Sequence, residues 1–280
     1  PVAEKLTGWP IKDSIGKYLS EFCVQADESD SPSLNDVVEQ CLKNGHTSLA
    51  VSSLQIRNRQ GEVSDIEQSV SPIKNNENQL LGAIVVFRDV SDTREMARQM
   101  SWQATHDSLT GLVNRREFEL QLKQLIDLAR QENINNALLY IDLDQFKVVN
   151  DTCGHTAGDE LLRQVTYIIG DTTRQADTLA RLGGDEFGVL LRGCDASIAK
   201  HTAEKIIQAV QDFRFAWEGK FFHIGASVGV VEITPHTENI NSVMKEADFA
   251  CYAAKEHGRN RIHVCTKDDG VLGQRQVEMQ

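Results

Sequence analysis

The sequence predicts an α/β (α+β) fold: a central, mostly antiparallel sheet with flanking helices, preceded by a smaller α+β domain. Three observations lead to it. Helical and strand periodicities alternate from Arg115 to Ile262. The pentapeptide Gly183-Gly184-Asp185-Glu186-Phe187 stands between Leu179-Ala180-Arg181-Leu182 and Val189-Leu190-Leu191, which reads as a hairpin and hence as antiparallel pairing. Residues 1–90 have a different rhythm, an amphipathic helix followed by three strand-like runs.

In the small domain, Ser33 to Asn44 places Leu34, Val37, Val38 and Leu42 on one side of a helix, and Gly45 stops it. Leu49 to Arg57, Glu62 to Ile73 and Leu81 to Val90 read as strands, parted by Gln60-Gly61 and by Asn75-Asn76-Glu77-Asn78. Trp9 and Phe22 are expected in its core, and His46, just past the helix stop, on its surface. Residues 91–105 form a polar linker in which Met96, Ala97, Met100 and Ala104 recur with the period of a short helix that could pair with its twin.

The larger domain is assigned to residues 106–266. Its expected elements are a helix Arg115 to Glu132, a buried strand from Ala137 to Asp142, a helix Glu160 to Ile169 and the hairpin. A helix Ser197 to Phe213, a strand Phe222 to Glu232, a helix Ile240 to His257 and a last strand near Ile262 follow. Residues 267–280 are a polar tail, a candidate link to a further domain.

The chemistry concentrates at two places. Gly183 and Gly184 can take positive φ and so form the hairpin turn, which leaves Asp185 and Glu186 at the tip. Composition alone yields this pentapeptide in about one chain in several thousand. A plain solvated hairpin would carry the same residues, so the second place matters more. The apolar run Ala137-Leu-Leu-Tyr-Ile141 ends in Asp142-Leu-Asp-Gln-Phe-Lys147. Carboxylates at the end of a buried strand are costly unless something binds them, and Mg²⁺, with oxygen ligands shared with substrate phosphates, suits such a place. Alone, Asp-x-Asp is also an ordinary turn.

Together these pieces resemble the GGDEF family of diguanylate cyclases, which join two GTP molecules into cyclic di-GMP with release of two pyrophosphates. Six blocks in family order carry the resemblance: Asp107-Ser-Leu-Thr-Gly-Leu-Val-Asn-Arg-Arg116, Asp142 to Lys147, Asn150-Asp-Thr-Cys-Gly-His-Thr-Ala-Gly-Asp159, the hairpin, Ser227-Val-Gly-Val230, and Ala247-Asp248 with Tyr252-Ala-Ala-Lys255 and Gly258-Arg-Asn-Arg261. The resemblance implies a fold like that of nucleotidyl cyclases. It also implies Mg²⁺ (or Mn²⁺) held by Asp142, Asp185 and the Leu143 carbonyl. Triphosphate would be cradled by a Gln145-Phe146-Lys147 loop and by Gly184, with Lys147, Lys255 and Arg259 as cations, the last two on one helical face. Guanine would be read by Asn150 and Asp159, whose hydrogen bonds adenine cannot satisfy.

Asp185, assisted by Glu186, would take the proton of the attacking ribose 3′-hydroxyl, and two domains would have to meet as a homodimer. Arg174-Gln-Ala-Asp177 has the spacing of the family's inhibitory site, where cyclic di-GMP stalls the enzyme; a surface ion pair is the alternative. Residues 1–90, with Leu6-Thr-Gly-Trp9 and Gly82 to Val90, resemble a PAS sensor domain, and the lack of strand-like sequence before its first helix predicts a truncated one. Nothing in it supports haem or flavin.

Global properties fit a cytoplasmic regulatory enzyme. The chain has 280 residues, enough for two modest domains, and a net charge of −12, which argues against nonspecific nucleic-acid binding. Six cysteines without a Cys-x-x-Cys pair read as reduced thiols. No apolar stretch is long enough for a membrane span, so any membrane anchor of a longer protein would lie upstream. A different class of function stays open: a module sensing GTP or cyclic di-GMP within a larger protein that carries an EAL-type phosphodiesterase domain.

Overall fold

The computed structural model describes residues 2–26, 33–47 and 54–265. The expected tail 267–280 and the start of the first predicted strand, residues 49–53, lie outside them. The chain divides into two compact units between Ser101 and Trp102.

The first unit runs α1 (Val2–Thr7), α2 (Ile11–Ser14), α3 (Leu19–Phe22), β1 (Val24–Gln25), α4 (Leu34–Asn44), β2 (Leu54–Arg57), β3 (Val63–Lys74) and β4 (Leu80–Asp89). Its strands form one antiparallel sheet in the order β1-β2-β3-β4. Helix α4 begins where Ser33 caps the Asp36 amide and ends at Gly45, which is left-handed at φ 66°. Its buried face is Leu34, Val37 and Cys41, with Cys41 in the place expected for Leu42. Phe22 packs against the core, and His46 is exposed. Trp9 instead lies half-exposed between two cations, Lys17 Nζ at 4.4 Å and the Arg59 guanidinium at 4.7 Å from its ring.

The predicted linker is helix α5 (Ser91–Thr105), with Met96, Met100 and Trp102 exposed. The second unit continues through β5 (Val113–Asn114), α6 (Arg115–Glu132), β6 (Asn136–Asp144), α7 (Phe146–Cys153), α8 (His155–Thr172), β7 (Thr178–Gly183) and β8 (Glu186–Leu191). It closes with α9 (Ala196–Asp212), β9 (Arg214–Trp217), β10 (Lys220–His223), β11 (Gly225–Ile233), α10 (Ile240–Glu256) and β12 (Ile262–Val264). Six strands pair in the order β12-β11-β6-β8-β7-β5, antiparallel except at the two edges.

Strand β6 is buried along its whole length because both faces are covered. On one side Leu139, Ile141 and Leu143 meet α8 and α9 through Leu161, Val165, Ala203 and Ile206. On the other, Leu138 and Tyr140 meet α6 and α10 through Phe118, Leu122, Ala247 and Cys251. Alternation along the strand therefore sends Asp142 and Asp144 to the α6/α10 face.

In the second unit four expected element boundaries differ from those observed. The buried strand runs two residues further, to Asp144, since Gly225 to Ile233 pair with it throughout. Phe146 and Lys147 are not a loop but the first turn of α7, which the β-branched Val148, Val149 and Thr152 disguise. Helix α8 begins at His155 rather than Glu160, its first turn masked by polar residues and Gly158. The stretch Phe222 to Glu232 is two strands, β10 pairing with the unforeseen β9 and β11 with β6.

Helix α10 sits directly on β11. A Cβ built on Gly229 would collide with the Ala247 carbonyl and come within 2.6 Å of the Cys251 nitrogen, so the contact exists only without a side chain. Gly229→Ala is expected to destabilise the second unit by about 2–3 kcal/mol, read as a lower urea midpoint with an unchanged slope.

Candidate active site

The hairpin turn comes from Gly184 and Asp185, not Gly183 and Gly184: Gly183 pairs with Glu186 across a register shift, and Gly184 takes φ +50°. The turn lies against the end of β6, where the Leu143 N–H donates to the Asp185 carbonyl at 3.2 Å and Asp142 pairs with Glu186. Strand pairing thus brings Asp142, Asp185 and Glu186 together from positions far apart in sequence.

Lys255, near the end of α10, reaches across to Asp142 at Nζ–Oδ2 2.6 Å. Burial pushes the Asp142 carboxyl up to about 6, against the pull of Lys255 and helped by the neighbouring Asp185 and Glu186 charges. Burial works against the Lys255 charge too, but Asp142 outweighs it and raises the ammonium above its ordinary value. Arg259 is not on the same helical face. Helix α10 ends at Glu256, and Arg259 sits beyond it in the left-handed region at φ 55°.

Glu186 is held by groups to which sequence reasoning gave no role. The buried Tyr140 hydroxyl lies beside it, and burial together with the Glu186 charge holds that phenol above its ordinary value. The Arg115 guanidinium, at the start of α6, stands 3.8 Å from Glu186. No hydrogen bond or ion pair among the described residues engages the Asp185 carboxylate. Arg181 fastens the turn: its Nε and Nη2 donate to the Gly184 carbonyl at 3.0 and 2.8 Å, and its Nη1 donates to Asp107 at 3.1 Å. Both residues lie within stretches that the sequence had singled out, Asp107 opening the first block and Arg181 flanking the pentapeptide; only their partnership was invisible.

Gln145 caps α7 in the left-handed region at φ 65°, putting Phe146, half-buried, and Lys147, exposed, at the helix start. Asn150 on α7 packs against Gly158 on α8, so closely that a Cβ there would strike the carboxamide. Asp159, the next residue, is exposed. The Asn150 Oδ1 atom is buried without a hydrogen-bond partner. Arg174 and Asp177 lie at the opposite end of β7 from the turn, about 20 Å along the strand. Their side chains do not pair: Asp177 accepts from the Arg174 and Arg192 backbone amides at 3.0 and 3.3 Å, and Arg174 is exposed.

Among the described residues no three His, Cys, Asp or Glu side chains form a ready metal cage. Asp142 and Asp185 with a backbone oxygen nevertheless suit a hard cation that completes its shell with water and phosphate, and a carboxylate crowded by like charges is where such a cation relieves repulsion.

A buried strand that ends in carboxylates, set beneath an acidic hairpin on a helix-flanked antiparallel sheet, defines a nucleotidyl-cyclase-like fold. The family profile described as "Diguanylate cyclase, GGDEF domain" matches residues 104–261, and that of the PAS fold matches residues 1–90. The chain belongs to the GGDEF family and carries a PAS region at its N-terminus.

It is 39% identical over 278 residues to the probable diguanylate cyclase DgcE of Escherichia coli, an alignment covering 94% of this chain and 24% of DgcE. It is 33% identical over 272 residues to the cyclic di-GMP phosphodiesterase PdeB of Shewanella oneidensis, covering 97% of this chain and 30% of PdeB. The chain thus spans less than a third of either relative's length. The crystal structure of the coiled coil and GGDEF domain of DgcB from Caulobacter crescentus, in complex with c-di-GMP, superposes with a TM-score of 0.58 at 34% identity, over 62% of this chain and 93% of that one. No helix among the described residues is long and apolar enough to cross a membrane.

Asp107 combines burial, which raises its pKa, with the Thr110 hydroxyl and amide and the Arg181 guanidinium, which together hold it below the usual carboxylate range. A depressed carboxylate contributes stability above its unfolded pKa and loses it as pH falls through the folded one. Asp107→Asn should therefore destabilise the second unit by about 1–2 kcal/mol at pH 7. The gap between parent and variant in urea unfolding should narrow below about pH 4.

Proposed function

We propose that the second unit is a diguanylate cyclase that condenses two GTP molecules into cyclic di-GMP and two pyrophosphates. The carrying observation is the meeting of Asp142, Asp185 and Glu186 at the end of β6 with the Lys255 ammonium against Asp142. A divalent cation, Mg²⁺ or Mn²⁺, held by Asp142, Asp185 and the Leu143 carbonyl would neutralise triphosphate charge when bound. Lys255, Lys147 and Arg259 add fixed positive charge for the phosphates, and the α7 N-terminus at Phe146 and Lys147 together with the Gly184 backbone offers N–H groups to them.

In the reaction the 3′-oxygen of one GTP attacks the α-phosphorus of the other. The bond from that phosphorus to the bridging oxygen breaks, and pyrophosphate leaves with the electron pair. The hydroxyl proton goes to Asp185, whose carboxylate no hydrogen bond or ion pair engages among the described residues; Glu186, beside Tyr140 and Arg115, assists electrostatically. Repeating the attack in the other direction closes the ring. Each domain carries one such site, so the reaction calls for a homodimer, and the exposed Met96 and Met100 on α5 suit a helix pairing with its copy.

Asn150 and Asp159 read guanine. Cyclic di-GMP inhibits at Arg174, whose exposed guanidinium can fork to phosphate, with Asp177 as its neighbour.

A second reading has one specific support, the similarity to PdeB. In it, the same site binds GTP or cyclic di-GMP without turnover and regulates a phosphodiesterase elsewhere in a longer chain.

Incubation with GTP and Mg²⁺, followed by chromatography, should yield cyclic di-GMP from the parent. The Asp185→Ala, Glu186→Ala double variant should lose at least about a hundredfold in rate. GTP binding without product in the parent would favour the sensing module. Because Asp142 must be deprotonated to hold a cation and its carboxyl is pushed up to about 6, divalent-cation affinity should be flat above that pH. Below it the affinity should fall about tenfold per pH unit in a Mg²⁺ titration followed by calorimetry.

A further inference from the structure

Asp144 is 6% exposed, sits two residues beyond Asp142 on the same face of β6, and plays no part in the mechanism above. Its Oδ1 accepts from the Ser227 hydroxyl at 2.9 Å, and its Oδ2 accepts from the Asn260 backbone N–H at 2.9 Å. Asn260 follows Arg259 directly, and both residues are in the left-handed region, at φ 47° and 55°. Two successive non-glycine residues in that conformation persist only where the surroundings fix them.

The fixing contacts converge on Asn260. Its N–H goes to Asp144, its Oδ1 accepts from the Ala226 amide at 3.4 Å, and its Nδ2 donates to Gln211 at 3.1 Å, while the Arg259 N–H donates to the Ala254 carbonyl at 3.2 Å. The approach is close enough that a Cβ on Gly225 would come within 3.0 Å of Asp144 Oδ2 and 3.1 Å of Asn260 Oδ1. Strand β6 therefore grips the end of α10 twice, through Asp142 on Lys255 and through Asp144 on the turn that carries Arg259.

We infer that Asp144 is a positioning residue for triphosphate binding: it fixes the turn after α10 to the catalytic strand and so sets the backbone from which Arg259 meets the nucleotide. The inference rests on the reading of Lys255 and Arg259 as triphosphate ligands.

The test compares GTP with GMP, which shares the base but lacks the β- and γ-phosphates, by calorimetry on the full chain. The variants are Asp144→Asn, Arg259→Ala, both together, and Gln211→Ala. Asparagine offers one acceptor oxygen where the carboxylate offers two, so Asp144→Asn should weaken GTP binding about tenfold while GMP binding stays within about twofold of the parent. In the Arg259→Ala background Asp144→Asn should add almost nothing, because the two act through one route.

Gln211→Ala loosens the same turn from the exposed surface of α9; it should weaken GTP about two- to threefold, spare GMP, and provide the test if Asp144→Asn does not fold. Equal losses for GTP and GMP, a full Asp144→Asn effect surviving in the Arg259→Ala background, or variants indistinguishable from a GTP-binding parent would each overturn the inference. A parent that binds GTP no tighter than GMP would remove the triphosphate reading itself, and the inference with it.

Discussion

The contact between Lys255 and Asp142 is the constraint on which the second unit turns. A carboxylate at the sheltered end of a central strand is unfavourable by itself, and here two more acids crowd it. One lysine from α10 makes the arrangement tenable, and in doing so fixes where that helix ends relative to the sheet. The charge is only partly compensated, which leaves the cluster receptive to a cation that brings further oxygen ligands with it. Folding and ligand binding therefore draw on the same electrostatic deficit.

Around that pair the polar residues form a row along one face of β6. Tyr140 faces Glu186, Asp142 holds Lys255, and Asp144 holds Ser227 and Asn260. The same strand face is apolar at Leu138, so the transition from core to site takes place within a few residues of one β-strand. The period of two does the sorting. Each of these side chains anchors a different segment: the hairpin, the end of α10, and the turn beyond it. The opposite face, with Leu139, Ile141 and Leu143, carries only packing.

Much of this was legible in the sequence. The α6 helix, the hairpin and the long strands of the first unit announce themselves through periodicity and glycine punctuation, as Arg115–Glu132 and Ser33 with Gly45 show. The acidic cluster could be read because carboxylates next to an apolar run contradict burial. What could not be read came from tertiary context. Helix α7 is rich in β-branched residues and is held by packing on α8 rather than by propensity. The turn shifted by one residue because a bulge near Arg181 changes the register, something composition does not encode. Tyr140 looked like core, and its hydroxyl acquires meaning only once β8 lies alongside. Lys255 and Arg259 looked like helical neighbours because they stand four apart, although the helix expected over Ile240 to His257 already stops short of Arg259.

Gly229 shows how subtraction can set a distance. Where most helices ride over a sheet on a cushion of side chains, α10 rests on bare backbone, the Ala247 carbonyl facing the strand across a gap that a methyl group would fill. A cushion of side chains can be repacked, and the helix above it can drift by fractions of an ångström. Backbone on backbone has no such slack. The reach of the lysine two turns further along the helix is thus calibrated by an atom the sequence leaves out, and the tolerance of the site is that of main-chain geometry rather than of rotamers.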